Sequence, residues 1–122
     1  MGKEESNKHI TLELRDEVAV IRMRYARFFR FEEYDQLEEE LLRAAAGAPG
    51  GKVLVNLEAV EYVTSRFIGV LAALHKKVVS GGGRMAVCRL RPETMRVFQL
   101  TRMDALIPVC PSEEEALKTL AK

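Results

Sequence analysis

Apolar residues recur at every second position over 10–14, where Ile10, Leu12 and Leu14 alternate with Thr11, Glu13 and Arg15. A period of two is that of a half-buried strand. Asp16 and Glu17 interrupt it as a turn, and 18–25 reads as a second strand, so the pattern predicts an opening antiparallel hairpin. Residues 1–8 carry no such pattern and are expected to form a flexible tail. Over 31–46 the spacing becomes helical. Tyr34, Leu37, Leu41 and Ala45 fall on one face, and Glu33, Gln36 and Glu40 are expected to face water. Acids crowd the first half of this segment and Arg43 stands near its end, as the helix dipole favours. The run Gly47-Ala48-Pro49-Gly50-Gly51 stops it.

The centre of the chain is the stretch 52–80. Val53-Leu54-Val55 is a continuous apolar run, the mark of a strand buried on both faces. From Phe67 the pattern turns helical: Phe67, Ile68, Val70, Leu71, Leu74 and Val78 share a broad face, with His75, Lys76 and Lys77 off it or at its edge. Between strand and helix lies Tyr62-Val63-Thr64-Ser65-Arg66, in which Thr64 and Ser65 are both N-cap residue types. A helix start leaves backbone N–H groups without partners and carries the positive end of the dipole, so a hydroxyl there is well placed to carry a phosphate.

The glycines at 81–83 sit between a helix and the next strand. A phosphate loop would place them between a strand and a helix and follow them with Lys and Ser or Thr, so they read as a helix-end loop. Residues 84–88 form a further strand of parallel type. Pro92 opens a short helix with Met95, Val97 and Phe98 inward, and Pro108 marks 107–109 as a short strand at a sheet edge. Ser112 and Glu115 make a capping box for a last helix that buries Ala116, Leu117 and Leu120. The order implies an α/β domain over 9–122, with a mainly parallel mixed sheet, an N-terminal antiparallel hairpin and about four helices.

Composition narrows the functional classes. A chain of 122 residues with 19 basic and 18 acidic side chains has a net charge of +1, too small for a global pull toward nucleic acid or membrane. No stretch approaches the ~20 apolar residues of a membrane span, and the N-terminus lacks an apolar signal core. A cytoplasmic location is expected, and Met1-Gly2 with Ser6 matches a myristoylation pattern only loosely. Cys88 and Cys110 fall in predicted strands and read as small buried apolar residues of a reducing compartment.

Two stretches could carry chemistry. Arg22, Arg24, Arg27 and Arg30 interleave with Tyr25, Phe28, Phe29 and Phe31. That pattern suits stacking on single-stranded nucleic acid or an interface anchored by Arg and aromatics, and equally a strand with its arginines in water. The six acids over 32–40 would cancel a basic field and favour the last reading over nucleic acid. Those acids lack the alternating spacing of a calcium loop, and Cys and His do not cluster as zinc ligands. His9, placed at the tail, and His75, on a helix, have no nucleophile or carboxylate arrangement near them in sequence. The expectation is a binding protein rather than an enzyme, with no cofactor and no metal.

The stretch 52–80 resembles the signature of STAS domains, the family of anti-sigma factor antagonists. That signature is an apolar strand ending in aspartate, a small loop, and Asp-Ser-Ser/Thr-Gly-Leu-Gly opening an apolar helix. Val53-Leu54-Val55-Asn56-Leu57 matches the strand, with Asn56 in place of the aspartate. Val60, Tyr62 and Val63 match the apolar residues before the site, and Ile68-Gly69-Val70-Leu71 match the helix start. Aligned on Gly69, Thr64 takes the acidic position, Ser65 the first serine, Arg66 the usual phospho-acceptor and Phe67 the glycine. Residues 82–117 resemble the family pattern as well, whereas Ala26-Arg27-Phe28-Phe29-Arg30 replaces a Gly-Glu-Leu-Asp-like loop.

The resemblance implies a STAS-type single domain that acts by partner switching. It would bind an anti-sigma factor, or a serine kinase of the histidine-kinase-like ATPase type, through Thr64, Ser65, Arg66 and Phe67, with Arg27 and Phe28 alongside. In the family, phosphorylation at the junction adds a charge of roughly −1.5 to −2 and breaks the contact. Arg66 cannot accept phosphate, which leaves Ser65 and Thr64 as candidate phosphorylation positions, or Ser65 as a plain N-cap. Other roles that the resemblance allows are an accessory subunit of a lipid or solute transport complex and a scaffold in a stress-sensing assembly; a homodimer is compatible with each.

Overall fold

The N-terminal hairpin closes on Asp16 and Glu17, both with left-handed backbone (φ 51° and 67°). Two central residues at positive φ suit the right-handed twist of paired strands, which is why so short a turn joins them. The computed structural model describes residues 4–6, 8–24 and 30–121. Six strands form one sheet in chain order: β1 (Glu4–Ser6), β2 (Ile10–Arg15), β3 (Val18–Met23), β4 (Lys52–Asn56), β5 (Arg84–Cys88) and β6 (Val109–Cys110). β1, β2 and β3 pair antiparallel, and β3 to β6 run parallel. The described residues also form five helices: α1 (Glu33–Ala46), α2 (Ser65–Ser80), α3 (Pro92–Leu100), α4 (Met103–Leu106) and α5 (Glu113–Ala121). None of the described helices is long and apolar enough to cross a membrane.

β4 is the strand on which both layers rest. Val53, Leu54 and Val55 have no exposed surface, and each such side chain contributes roughly 1.5–3 kcal/mol by leaving water. Val53 and Val55 point into the larger core with Ile21, Leu37, Leu41, Phe67, Leu71 and Leu74, beneath α1 and α2. Leu54 points the other way, into a smaller cluster with Val18, Val20, Ala86, Cys88, Ala116 and Leu120, beneath α5. The period of two along β3 and β4 distributes the residues in this manner.

Several expectations need correction. Glu4–Ser6, within the stretch expected as a tail, forms an edge strand, with Glu5 opposite Leu12. Backbone pairing to β2, not apolar alternation, makes that strand, so periodicity could not find it. On α1 the inward stripe ends on Ala44, with Ala45 half-buried, and Glu40 is buried rather than turned to water. Glu40 lies three residues after Leu37 and four before Ala44, which puts it on the inner stripe. On α3 the fully buried positions are Thr94 and Phe98, while Met95 and Val97 are half-buried. A short turn, α4, was not predicted, and β6 begins at Val109, one residue past Pro108. Pro108 still joins the sheet through its carbonyl, which accepts from the Val87 N–H at 2.9 Å.

The glycine run lies at the N-terminal end of β5. Gly83 passes so near Gly51 that a Cβ would stand 2.0 Å from the Gly51 carbonyl oxygen. The glycine is required there because two backbones cross. No ligand cradle needs to be invoked, and the run is at the opposite end of the parallel strands from the β4–α2 junction.

Candidate partner-binding site

The connection from β4 to α2 is held down before it reaches the surface. Asn56 Oδ1 accepts from the Glu58 N–H at 2.9 Å, a local turn that bends the chain at the strand end. Leu57 and Val60 are buried, and the Leu57 N–H donates to the Cys88 carbonyl at 3.0 Å. Arg89 pairs with the Glu58 carboxylate, which raises the Arg89 pKa further, and Arg91 Nε donates to the Glu58 carbonyl at 2.7 Å.

Thr64, not Ser65, is the N-cap of α2. Its backbone is extended (φ −98°, ψ 165°) and its Oγ1 accepts from the Phe67 N–H at 3.1 Å. Tyr34 Oη, from α1, lies 2.9 Å from the same Thr64 Oγ1. Ser65 is therefore the first helical residue and is exposed. Arg66 folds back across α1: Nη2 meets Asp35 Oδ1 at 2.6 Å, Nη1 lies 3.8 Å from Glu38 Oε1, and the guanidinium stands 5.7 Å from the Tyr34 ring centroid. The first turn of α2 contains no acid, so the helix end keeps its positive character.

Phe67 is 1% exposed. Its ring belongs to the core, so it supports the junction from beneath and offers no contact to a partner, contrary to the sequence expectation. Arg27 and Phe28 lie outside the described residues. Sequence reasoning passed over the surface beside the junction. Tyr62 is 62% exposed, and it lines a groove of about 470 Å³ with Glu61, Val63, Arg91, Glu93 and Val97. The signal in the sequence is an aromatic two residues before the cap, a position where the apolar pattern alone does not tell a buried ring from an exposed one.

Beneath the junction, at the ends of β3 and β4, a polar network faces α5. Arg22 grips Glu113 with two hydrogen bonds, Nε at 2.8 Å and Nη2 at 2.9 Å, and Asn56 Nδ2 donates to Glu113 Oε2 at 2.7 Å. Arg22 also meets Glu13 at 2.8 Å, and Arg15 lies 3.6 Å from Glu113. The Arg22 hydrogen bonds, joined by that from Asn56, hold the Glu113 carboxyl below the usual carboxylate range, and the carboxylates in turn raise Arg22. Burial pushes the nearby Cys88 thiol up to about 12, which leaves it protonated and inert. Cys88 and Cys110 are free and buried. Among the described residues no group of three His, Cys, Asp or Glu side chains is placed to hold a metal ion.

A model of the STAS domain matches residues 9–116. The chain belongs to the STAS domain family. It is 30% identical over 84 residues to a candidate anti-sigma factor antagonist, BtrV, of Bordetella bronchiseptica, a match covering 67% of this chain and 70% of that one. It is 26% identical over 68 residues to an anti-sigma F factor antagonist of Paenibacillus polymyxa, spanning 56% of this chain and 58% of that relative's length. Among solved structures, an anti-sigma-factor antagonist (STAS) domain protein from Planctomyces limnophilus superposes with a TM-score of 0.82 at 30% identity, over 93% of this chain and 98% of that one. This is thus an anti-sigma factor antagonist-like STAS protein, with the strand–helix junction built around Thr64, Ser65 and Arg66.

Proposed function

We propose that this STAS protein is a non-enzymatic regulator that binds an anti-sigma factor, or a serine kinase of the histidine-kinase-like ATPase type. The binding face centres on Thr64, Ser65 and Arg66, and phosphorylation at the family's usual position does not switch it. The observation that carries the reading is Arg66. It takes the phospho-acceptor position of the family pattern, and its guanidinium is engaged by Asp35 and the Tyr34 ring. A side chain with no hydroxyl cannot be phosphorylated by a serine kinase. The face then keeps the electrostatics of an unphosphorylated helix start, with Ser65 exposed beside the charge.

Capture of partners from the native lysate, followed by purified binding, tests this. The protein is expected to bind an anti-sigma factor or kinase, and Arg66→Glu is expected to weaken binding roughly tenfold or more while the fold survives. Unchanged affinity in that variant would place the binding face elsewhere. Incubation with the cognate kinase and ATP is expected to leave the protein unmodified and still bound. Stoichiometric phosphate on Ser65 or Thr64 in the mass spectrum would make the junction a shifted switch and overturn the unswitched reading.

A further inference from the structure

His9 stands one residue before β2, and it is buried against α1. Its backbone N–H donates to Glu40 Oε1 at 2.9 Å, its Nδ1 lies 2.7 Å from Glu40 Oε2, and its Nε2 lies 3.1 Å from Glu33 Oε2. Side-chain exposure is 5% for His9 and 9% for Glu40. A neutral imidazole has one N–H and one lone pair, so it can donate to one of these carboxylates only. The imidazolium donates to both. The Arg30 N–H and His9 hold the Glu33 carboxyl below its ordinary range, so that partner is ionised wherever histidine titrates. Other charged groups on this side of α1 are Lys8, beside the ring in the chain, Arg24, whose N–H donates to the His9 carbonyl at 2.9 Å, and Arg30, Glu32, Glu39 and Arg43, which flank the surface formed with Glu33 and Glu40, Arg43 being paired with Glu39.

The same turns of α1 hold the junction. Glu33 is followed by Tyr34, whose hydroxyl meets Thr64, and by Asp35, which with Glu38 pairs with Arg66. Three consecutive α1 residues thus connect the His9 contact on one side with the start of α2 on the other. We propose that His9 is a positioning residue for the Thr64–Arg66 junction: as an imidazolium it seats the first turns of α1 against the sheet. Loss of its second proton takes the ring hydrogen bond from one carboxylate and leaves it only its backbone donor, the Arg30 N–H for Glu33 or the His9 N–H for Glu40. That loosens the turn and weakens the Tyr34–Thr64 and Asp35–Arg66 contacts. A more protonated ring therefore favours the ordered junction, and rising pH works against it. The consequence for partner binding rests on the function proposed above; the coupling within the chain does not.

NMR of the full chain, from about pH 5 to pH 8.5, tests the coupling without any partner, because histidine changes charge within that span. The ring resonances of His9 and the amide resonances of Phe67 and Arg30 are followed together. The Phe67 amide is expected to move with the His9 midpoint, and its protection against exchange to fall about threefold or more on the high-pH side, as expected for a local opening. His9→Gln is expected to abolish the coupled movement. Glu33→Gln, which removes the more exposed carboxylate and leaves the Glu40 pair, is expected to shrink it while the fold is kept. The proposal is overturned if the Phe67 amide follows His75 instead, if its movement persists in His9→Gln, or if the His9 ring keeps one charge state throughout. Should His9→Gln fail to fold, an undiminished movement in Glu33→Gln overturns it alone. Affinity for the partner is expected to be severalfold higher near pH 6 than near pH 8 in the wild type, less so in Glu33→Gln and flat in His9→Gln. Coupled amides in a protein that binds no anti-sigma partner would uphold the coupling and sink the regulatory reading instead.

Discussion

The two faces of the sheet are fastened by different means. Under α1 and α2, large apolar side chains do the work: Leu37, Leu41, Phe67, Leu71 and Leu74 cover Val53 and Val55. Under α5 the packed residues are mostly small, Val18, Val20, Ala86, Cys88 and Ala116, with Leu54 and Leu120 as the larger members. That layer is completed at its rim by the Arg22–Glu113–Asn56 network. One domain thus seats one helix layer by apolar area and the other by a small cluster plus a charged latch. The candidate site lies on the layer of large apolar side chains, where Thr64 and Arg66 are held by Tyr34 and Asp35 of α1.

Truncation in the larger core should have the largest effect. Leu71→Ala is expected to cost roughly 2–5 kcal/mol in urea unfolding, because the buried methyl groups leave a cavity beneath α2. Leu54→Ala, facing the smaller cluster, is expected at the lower end, about 2–3 kcal/mol. A larger loss at Leu54 than at Leu71 would reverse the ranking of the two faces.

The latch is broken next most severely by Asn56→Asp, which restores the residue usual in the family. It would put a second carboxylate where Asn56 now donates to Glu113 at 2.7 Å. A loss of about 1–3 kcal/mol at pH 7 is expected, from the missing donor and the like charge. The deficit should shrink as the pH falls toward 5 and one of the pair takes a proton. An unchanged deficit between the two pH values would mean that charge repulsion is not its cause.

The wild-type latch has its own pH dependence. Glu113 sits below its ordinary value of 4.5 in the folded state, chiefly through Arg22. A depressed carboxylate contributes stability that is present above the unfolded value and lost as pH falls through the folded one. Stability should therefore decline below about pH 4.5, and Glu113→Gln should flatten that part of the profile. An equally steep acid limb in the variant would assign the loss to other carboxylates.

The smallest effects belong to the surface of the junction. Thr64→Ala removes the cap on the Phe67 N–H and is expected to cost about 1 kcal/mol. Arg66→Ala breaks pairs to Asp35 and Glu38 that are open to solvent, so about 0–1 kcal/mol is expected in thermal or urea unfolding. A larger loss at Arg66 than at Thr64 would show that the junction depends on its ion pairs more than on its cap.

Periodicity by itself determined the hairpin, the buried β4 and the apolar face of α2, because burial on one or two faces leaves a period of two, an unbroken run or a period of 3.6 in the residues themselves. The capping residues were legible as a type, and the resemblance at 52–80 located the junction. Which of Thr64 and Ser65 caps α2 was decided by the helix start, set when Phe67 entered the core. The His9–Glu40 contact joins residues 31 apart, and the Arg22–Glu113 contact residues 91 apart. No local pattern records such pairs, because a polar residue on an inner stripe reads as an error in the period until its partner arrives from another element. Only the tertiary structure brought β2 against α1 and α5 against the ends of β3 and β4, and so decided which charges are buried and paired and which stay in water.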